Sequence, residues 1–205
     1  MNPRPPGTVR IIAGQLRGSK LPVPDRPGLR PTSDRVRETL FNWLQPKLAG
    51  ARVLDLFAGT GALGFEAASR GAALVRLVER DPGLAQGLRD SAARLKAAAV
   101  AVDTADALTW LQRAPDQAFD LVFLDPPFEA GLWAAAAAAL GPWLAPGAWI
   151  YVESPQNVVP SLPPGWLPHR EGRTREVRYA LLRAEGGPLP ESAATLQAES
   201  TPQGD

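Results

Sequence analysis

No cysteine occurs among the 205 residues, and histidine and methionine occur once each. The missing thiols exclude disulfides, zinc–thiolate sites, iron–sulfur clusters and a cysteine nucleophile. With His169 alone, a histidine-rich metal site is excluded and a Ser-His-Asp triad has a single candidate base. Long apolar runs are also lacking: the longest, Leu132 to Leu140, is far too short to span a bilayer. The opening MNPRPPGTVR has no apolar stretch like that of a signal peptide, so a soluble cytoplasmic protein is expected. Lysine is scarce, supplying only three of the 22 basic residues; arginine, which supplies the rest, grips phosphates bidentately and stacks on bases. Hydrophobic residues make up 45% of the chain, which argues against disorder. The length suits one full domain with a small attachment.

Charge is unevenly spread. Residues 1–50 carry nine Lys/Arg against three acids, residues 51–183 are near neutral, and the stretch from Ala184 carries four acids and no base. This divides the chain into a basic N-terminal extension (1–50), a main domain (51–183) and an acidic tail (184–205). The basic extension suggests a surface that faces a polyanion; a merely solvated charged face is the plain alternative.

Along the chain, residues 1–8 and 184–205 read as tails. Val9–Ala13 and Ser19–Val23 read as two short strands forming a hairpin that carries Arg10, Arg17 and Lys20. Thr32, Ser33 or Asp34 can cap a helix that runs to about Leu48, with Val36, Leu40, Trp43 and Leu44 at helical spacing. From Ala51 strands and helices alternate: ARVLDLF, then a helix in GALGFEAASRG; ALVRLVE, then a helix near 82–96; VAVD, then a helix near 105–113; FDLVFLD, then an alanine-rich helix; and GAWIYVE. Such alternation predicts a parallel sheet with helices on both faces. Four prolines between Ser154 and Gly165 break the rhythm. Two more strands, about 166–171 and 175–182, follow with a short link at Gly172, which predicts a hairpin and one antiparallel strand. The six tryptophans are expected to be mostly core or packing residues, and His169, far from any motif, is read as surface or packing.

Two sites carry chemistry. After the first strand of the main domain, Gly59, Gly61 and Gly64 match G-x-G-x-x-G between a strand and a helix, where glycine permits a tight turn and close approach of a ligand to the backbone. Glu79 ends the next strand, 18 residues beyond Gly61, at the place of an acid that hydrogen-bonds ribose hydroxyls. This pattern admits NAD, FAD or S-adenosylmethionine. Asp55, at a strand end facing the crevice, would repel a pyrophosphate but suits the ammonium of a methionine moiety. Asp106 can accept from an adenine amine or cap a helix. The second site is Asp125-Pro126-Pro127-Phe128. A rigid Pro-Pro turn leaves the Asp125 and Pro126 carbonyls to accept. A planar amine can give one N–H to the Asp125 carboxylate and another to the Pro126 carbonyl, with its base stacked on Phe128.

These residues resemble class I S-adenosylmethionine-dependent methyltransferases and, more closely, the RsmD family, which methylates the N2 amine of a guanine in bacterial 16S ribosomal RNA. The matching stretches are RIIAGQLRGSKLPVP from Arg10, LRPTSDRVRETLFNWL from Leu29, LDLFAGTGALGFEAASRG, Glu79 and DPPF from Asp125. The resemblance implies a Rossmann-like seven-stranded sheet of order 3-2-1-4-5-7-6 with strand 7 antiparallel. It implies that Asp55, Phe57, Gly59, Gly61, Glu79 and Asp106 line the S-adenosylmethionine site, with Arg80 beside Glu79. It implies that Asp125, Pro126, Pro127 and Phe128 hold the target base, and that the N-terminal segment contacts cofactor and RNA. Arg10, Arg17, Lys20, Arg35 and Arg37 are the expected RNA-facing residues. The methyl donor is already activated, so no metal is implied. The expected partner is 16S RNA or the assembled small subunit, with no membrane and no obligate protein partner. The alternatives are an adenine-N6 or other nucleic-acid amino-methyltransferase, an NAD-dependent oxidoreductase, and a non-catalytic RNA-binding module; Asp55 and DPPF count against the oxidoreductase.

Overall fold

The computed structural model describes residues 7–26, 29 and 32–185. Arg30 and Pro31 of the family-like stretch, and nearly all of the acidic tail, lie outside the described residues.

The chain starts with an antiparallel pair, β1 (Gly7–Arg10) and β2 (Lys20–Val23), in the register Val9 opposite Leu21. Helix α1 (Asp34–Leu48) follows. The Ser33 hydroxyl accepts from the Val36 N–H at its start, and Asp34 and Lys47 match the polarity of its two ends. Val36, Leu40, Phe41, Leu44 and Leu48 form its buried face. Then come β3 (Arg52–Asp55), α2 (Ala62–Ser69), β4 (Leu74–Glu79), α3 (Pro82–Arg94), β5 (Val100–Thr104), α4 (Ala107–Leu111), β6 (Phe119–Leu124), α5 (Trp133–Leu140), β7 (Leu144–Pro155), β8 (Trp166–Arg173) and β9 (Val177–Ala184).

The seven main-domain strands lie in the order β5-β4-β3-β6-β7-β9-β8. Counted from β3 this is 3-2-1-4-5-7-6, and β9 runs antiparallel to both of its neighbours. Both expectations from the resemblance are met.

Two apolar layers cover the sheet. On one face, Leu40, Phe41 and Leu44 of α1, Phe65 of α2 and Leu88 of α3 pack with Val53, Leu77, Phe123 and Leu181. Ile11 and Leu21 of the N-terminal hairpin join this layer, so the boundary near residue 50 divides charge but not packing. On the other face, Trp110 of α4 and Trp133 and Leu140 of α5 pack with Phe119, Trp143 and Ile150. The Trp110 and Trp143 rings lie 4.1 Å apart between centroids.

The structure moves some boundaries. Helix α4 ends at Leu111, short of the expected 113. The last hairpin does not turn at Gly172: β8 continues to Arg173, and Thr174 makes the turn by accepting the Glu176 and Val177 N–H groups on its hydroxyl. Gly172 sits within the ladder opposite Tyr179. A Cβ there would lie 2.2 Å from the Tyr179 ring, so this glycine admits an aromatic ring rather than a bend. That ring stacks on Trp43 with centroids 5.6 Å apart. His169 is exposed on β8, 4.8 Å from the Trp149 ring, away from the site described next.

Candidate active site

The C-terminal ends of the parallel strands make the rim on which ligands bind in such sheets. Four adjacent strands carry an acid at or near this rim: Asp55 and Glu79 end β3 and β4, Asp125 follows β6, and Glu153 lies two residues inside the end of β7.

The turn after β3 depends on its glycines. Gly59 and Gly61 have φ of +52° and +74°, in the left-handed region. A Cβ on Gly61 would lie 2.6 Å from Leu88, and one on Gly64 would lie 2.2 Å from Leu77. The third glycine therefore lets α2 settle against β4. In that position the Gly64 N–H donates to Asp55 Oδ2 at 3.0 Å. The Gly59 N–H donates to Glu79 Oε2 at 2.9 Å and the Asp81 N–H to Oε1 at 2.8 Å. Glu79 is thus fixed across the turn with further lone pairs to accept hydroxyls.

Asp55 is 3% exposed. Burial pushes its carboxyl up to about 7; the Gly64 N–H opposes this and the nearby Glu79 charge adds to it. It makes no ion pair among the described residues. A ligand ammonium brought to this place would supply the missing charge. Phe57 is half-buried against the α4–α5 layer. Asp106 caps α4, accepting from the Thr109 N–H with Oδ1 at 3.1 Å, while Oδ2 makes no hydrogen bond among the described residues. Arg80 acts electrostatically on Asp81, whose carboxyl is held below its usual range mainly by the Leu84 and Gly83 N–H groups at the start of α3.

Asp125 stands at the mouth of the crevice, next to the level of Glu153, because Leu124 pairs with Val152. Burial, then the charges of Glu153 and Asp55, push its carboxyl well above the carboxylate range. The Thr32 hydroxyl donates to its Oδ2 at 3.4 Å. Pro126 is buried and its carbonyl accepts no hydrogen bond among the described residues, whereas the Pro127 carbonyl accepts from the Ala130 N–H. Phe128 is half-buried, its ring centroid 6.1 Å from that of Trp133. The stretch thus offers a carboxylate, a carbonyl and a ring around one mouth.

Glu153 is a site residue that the motifs did not disclose. The Tyr151 hydroxyl donates to its Oε2 at 2.6 Å, and Trp133 Nε1 donates to its carbonyl at 2.8 Å. The available signal was positional: Glu153 closes the apolar run GAWIYVE, as Asp125 closes FDLVFLD.

The N-terminal segment crosses the same rim. Leu29 Cδ1 lies 3.1 Å from where a Cβ of Gly59 would be, and Thr32 touches Asp125. Of the expected RNA-facing residues, Arg10, Arg17, Lys20 and Arg35 are exposed, and none forms an ion pair among the described residues. Arg37 is a correction: it is fully buried. Its Nη2 donates to the Arg10 carbonyl at 2.9 Å and to Asp34 at 2.6 Å, and its Nη1 lies 3.6 Å from Glu66. Glu66 also accepts from the Ile12 and Ala13 N–H groups at 2.7 and 3.0 Å and from Arg70 at 2.7 Å. Arg37 therefore locks the hairpin to α2 from within and cannot touch RNA.

The strand order, the antiparallel β9 and the glycine turn at the rim define a class I methyltransferase fold. An RNA methyltransferase from Salinibacter ruber in complex with S-adenosyl-L-homocysteine has the same fold, with a TM-score of 0.60 at 19% identity over 79% of this chain and 97% of that one. The model of the family described as conserved hypothetical protein 95 matches residues 9–183, and the chain belongs to this family, the RsmD family. It is 49% identical over 182 residues to ribosomal RNA small subunit methyltransferase D of Escherichia coli (strain K12), covering 87% of this chain and 91% of the relative. The solved structure of a putative methyltransferase, yhhF, from Escherichia coli superposes with a TM-score of 0.81 at 46% identity, over 87% of this chain and 99% of that one.

Proposed function

We propose that this protein methylates the exocyclic N2 amine of a guanine in 16S ribosomal RNA of the small subunit, with S-adenosylmethionine as donor. The observation that carries the reading is adjacency. The Asp55–Gly59–Glu79 crevice and the Asp125–Phe128 mouth end neighbouring strands of one rim, in a chain half identical to a named small-subunit RNA methyltransferase.

The residues present fit the donor. Asp55 faces its ammonium, Glu79 its ribose hydroxyls and Asp106 Oδ2 its adenine amine. When bound, the donor supplies an electrophilic methyl on a sulfonium, so neither a metal nor a covalent enzyme intermediate is required. Guanine N2 is a poor nucleophile because its lone pair is delocalised into the ring. The Asp125 carboxylate and the Pro126 carbonyl take its two N–H bonds and turn the lone pair toward the methyl, while Phe128 holds the base plane. Asp125 also stabilises the positive charge that grows on nitrogen during transfer. Its raised affinity for a proton suits it to receive the one that nitrogen must lose.

Arg10, Arg17, Lys20 and Arg35 are assigned to the RNA backbone, and residues 1–50 to substrate recognition. An assembled small subunit and free RNA remain as two arms of one experiment, and a ribosomal RNA substrate would place the protein in the cytoplasm. The test is incubation of the protein and donor with unmodified small-subunit RNA or particles, followed by mass analysis of nucleosides. N2-methylguanine supports the reading. N6-methyladenine would keep the chemistry and overturn the base, and no methylated product on either substrate would overturn the function.

A further inference from the structure

The C-terminal hairpin carries charge that the site described so far does not use. Residues 166–185 contain five arginines and three glutamates. Within the ladder, Arg173 of β8 stands directly opposite Arg178 of β9. Like charges so placed destabilise a strand pair, so folding alone does not favour them. Arg170, Arg173 and Arg175 are exposed and Arg178 is half-exposed. None of the four forms an ion pair among the described residues.

The register places this tip. β9 runs antiparallel to β7, with Val177 opposite Pro155 and Arg178 opposite Ser154. The turn between β8 and β9 therefore rises at the same rim as Asp125. From β6 to β8 is three strand spacings, about 14 Å, a reach of a few nucleotides. The face is fixed as well. Val177, Tyr179 and Leu181 point into the α1–α3 layer, and Ala180, Leu182 and Ala184 into the α4–α5 layer. Arg178, and Arg173 opposite it, therefore lie on the α4–α5 side, where Trp133 also packs. The N-terminal hairpin is seated on the other side through Ile11 and Leu21.

We propose that the β8–β9 tip, through Arg173, Arg175 and Arg178, is a second phosphate-binding surface. It holds the substrate RNA on the sheet face opposite the N-terminal hairpin, so the strand entering the mouth is gripped from both sides. This rests on the reading that small-subunit RNA is the substrate.

The test compares wild type, Arg173→Ala/Arg178→Ala and Arg173→Lys/Arg178→Lys in binding to small-subunit RNA and particles over a salt series. Methyl transfer, S-adenosylmethionine affinity and melting are measured alongside. Losing two phosphate contacts should flatten the log–log salt slope by about 1.4–1.8 and weaken binding about ten- to fiftyfold near 0.1 M salt. The lysine pair should keep most of the slope, all three proteins should bind S-adenosylmethionine equally, and the alanine pair, freed of the Arg173–Arg178 repulsion, should melt no lower than wild type. If wild type methylates the RNA and the alanine pair binds it with unchanged affinity and slope, the hairpin inference falls alone. If wild type neither binds nor methylates the RNA, the substrate reading falls and takes the hairpin with it.

Discussion

Two groups of buried charge sit on either side of α2, and they are resolved in opposite ways. Behind the helix, Glu66 and Arg37 are both fully buried, and Glu66 is surrounded by two backbone N–H groups and two arginines. In front of it, Asp55 and Asp125 are acids whose proton affinity is raised by burial and by nearby acids, Glu79 for the first and Glu153 and Asp55 for the second. The first group has its charges paired within the chain, although Arg37 Nε and Nη1 make no hydrogen bond among the described residues, and it holds the N-terminal hairpin. The second is short of positive charge among the described residues, and a sulfonium amino acid brings that charge. Buried polarity that is balanced is architecture; buried polarity left unbalanced at a strand-end rim points to a ligand.

The sharpest way to break the comparison is to unbalance the balanced group. Glu66→Ala leaves Arg70 and the Ile12 and Ala13 N–H groups without their acceptor and Arg37 without its buried counter-charge. Removing one partner of a buried pair costs about 3–5 kcal/mol, which for a chain of this size is about 6–20 °C in melting temperature. A thermal melt checks it, and a shift below 2 °C would mean that the pair is not what docks the hairpin. At the rim, Asp125→Ala should lower single-turnover methyl transfer by about 10²–10³ while S-adenosylmethionine affinity, measured by calorimetry, stays within a few-fold. Glu79→Ala should do the reverse. Loss of a charged hydrogen-bond acceptor costs about 1.5–3 kcal/mol, so donor affinity should fall about ten- to a hundredfold.

The smallest effect has the opposite sign. The Asp55 carboxyl keeps its proton in the folded, ligand-free protein up to about pH 7, whereas in an unfolded chain it ionises near 4. Ligand-free stability should therefore fall as the pH rises from about 4 to about 7 and level off above. Asp55→Asn, which can still accept the Gly64 N–H, should remove that loss and stabilise the ligand-free protein by about 1–3 kcal/mol at pH 8, and by almost nothing at pH 4.

Much of the rim was legible because its chemistry is local. Gly59, Gly61 and Gly64 are demanded by one turn and one helix packing against one strand, the acids at 79 and 125 each end an apolar run, and Asp55 stands within the run that leads into the glycine turn. The strand order rested on the family resemblance, which the β7–β9 and β8–β9 pairing supports. What stayed hidden depends on distant partners. Arg37 reads as one more exposed arginine of a basic segment until Glu66, on another helix, is seen beneath it. Gly172 reads as a turn, since only the fold brings the Tyr179 ring across it. Glu153 carries no motif, and its place emerges only when β7 lies next to β6.

The central claim is that the rim holds acid in waiting for a cationic ligand, and paired melts at pH 8 test it most directly. Wild type and Asp55→Asn are each melted with and without saturating S-adenosylmethionine. Without ligand the variant should melt higher than wild type, and on adding ligand it should gain clearly less. A variant that melts lower without ligand, yet gains as much as wild type with it, would contradict the claim.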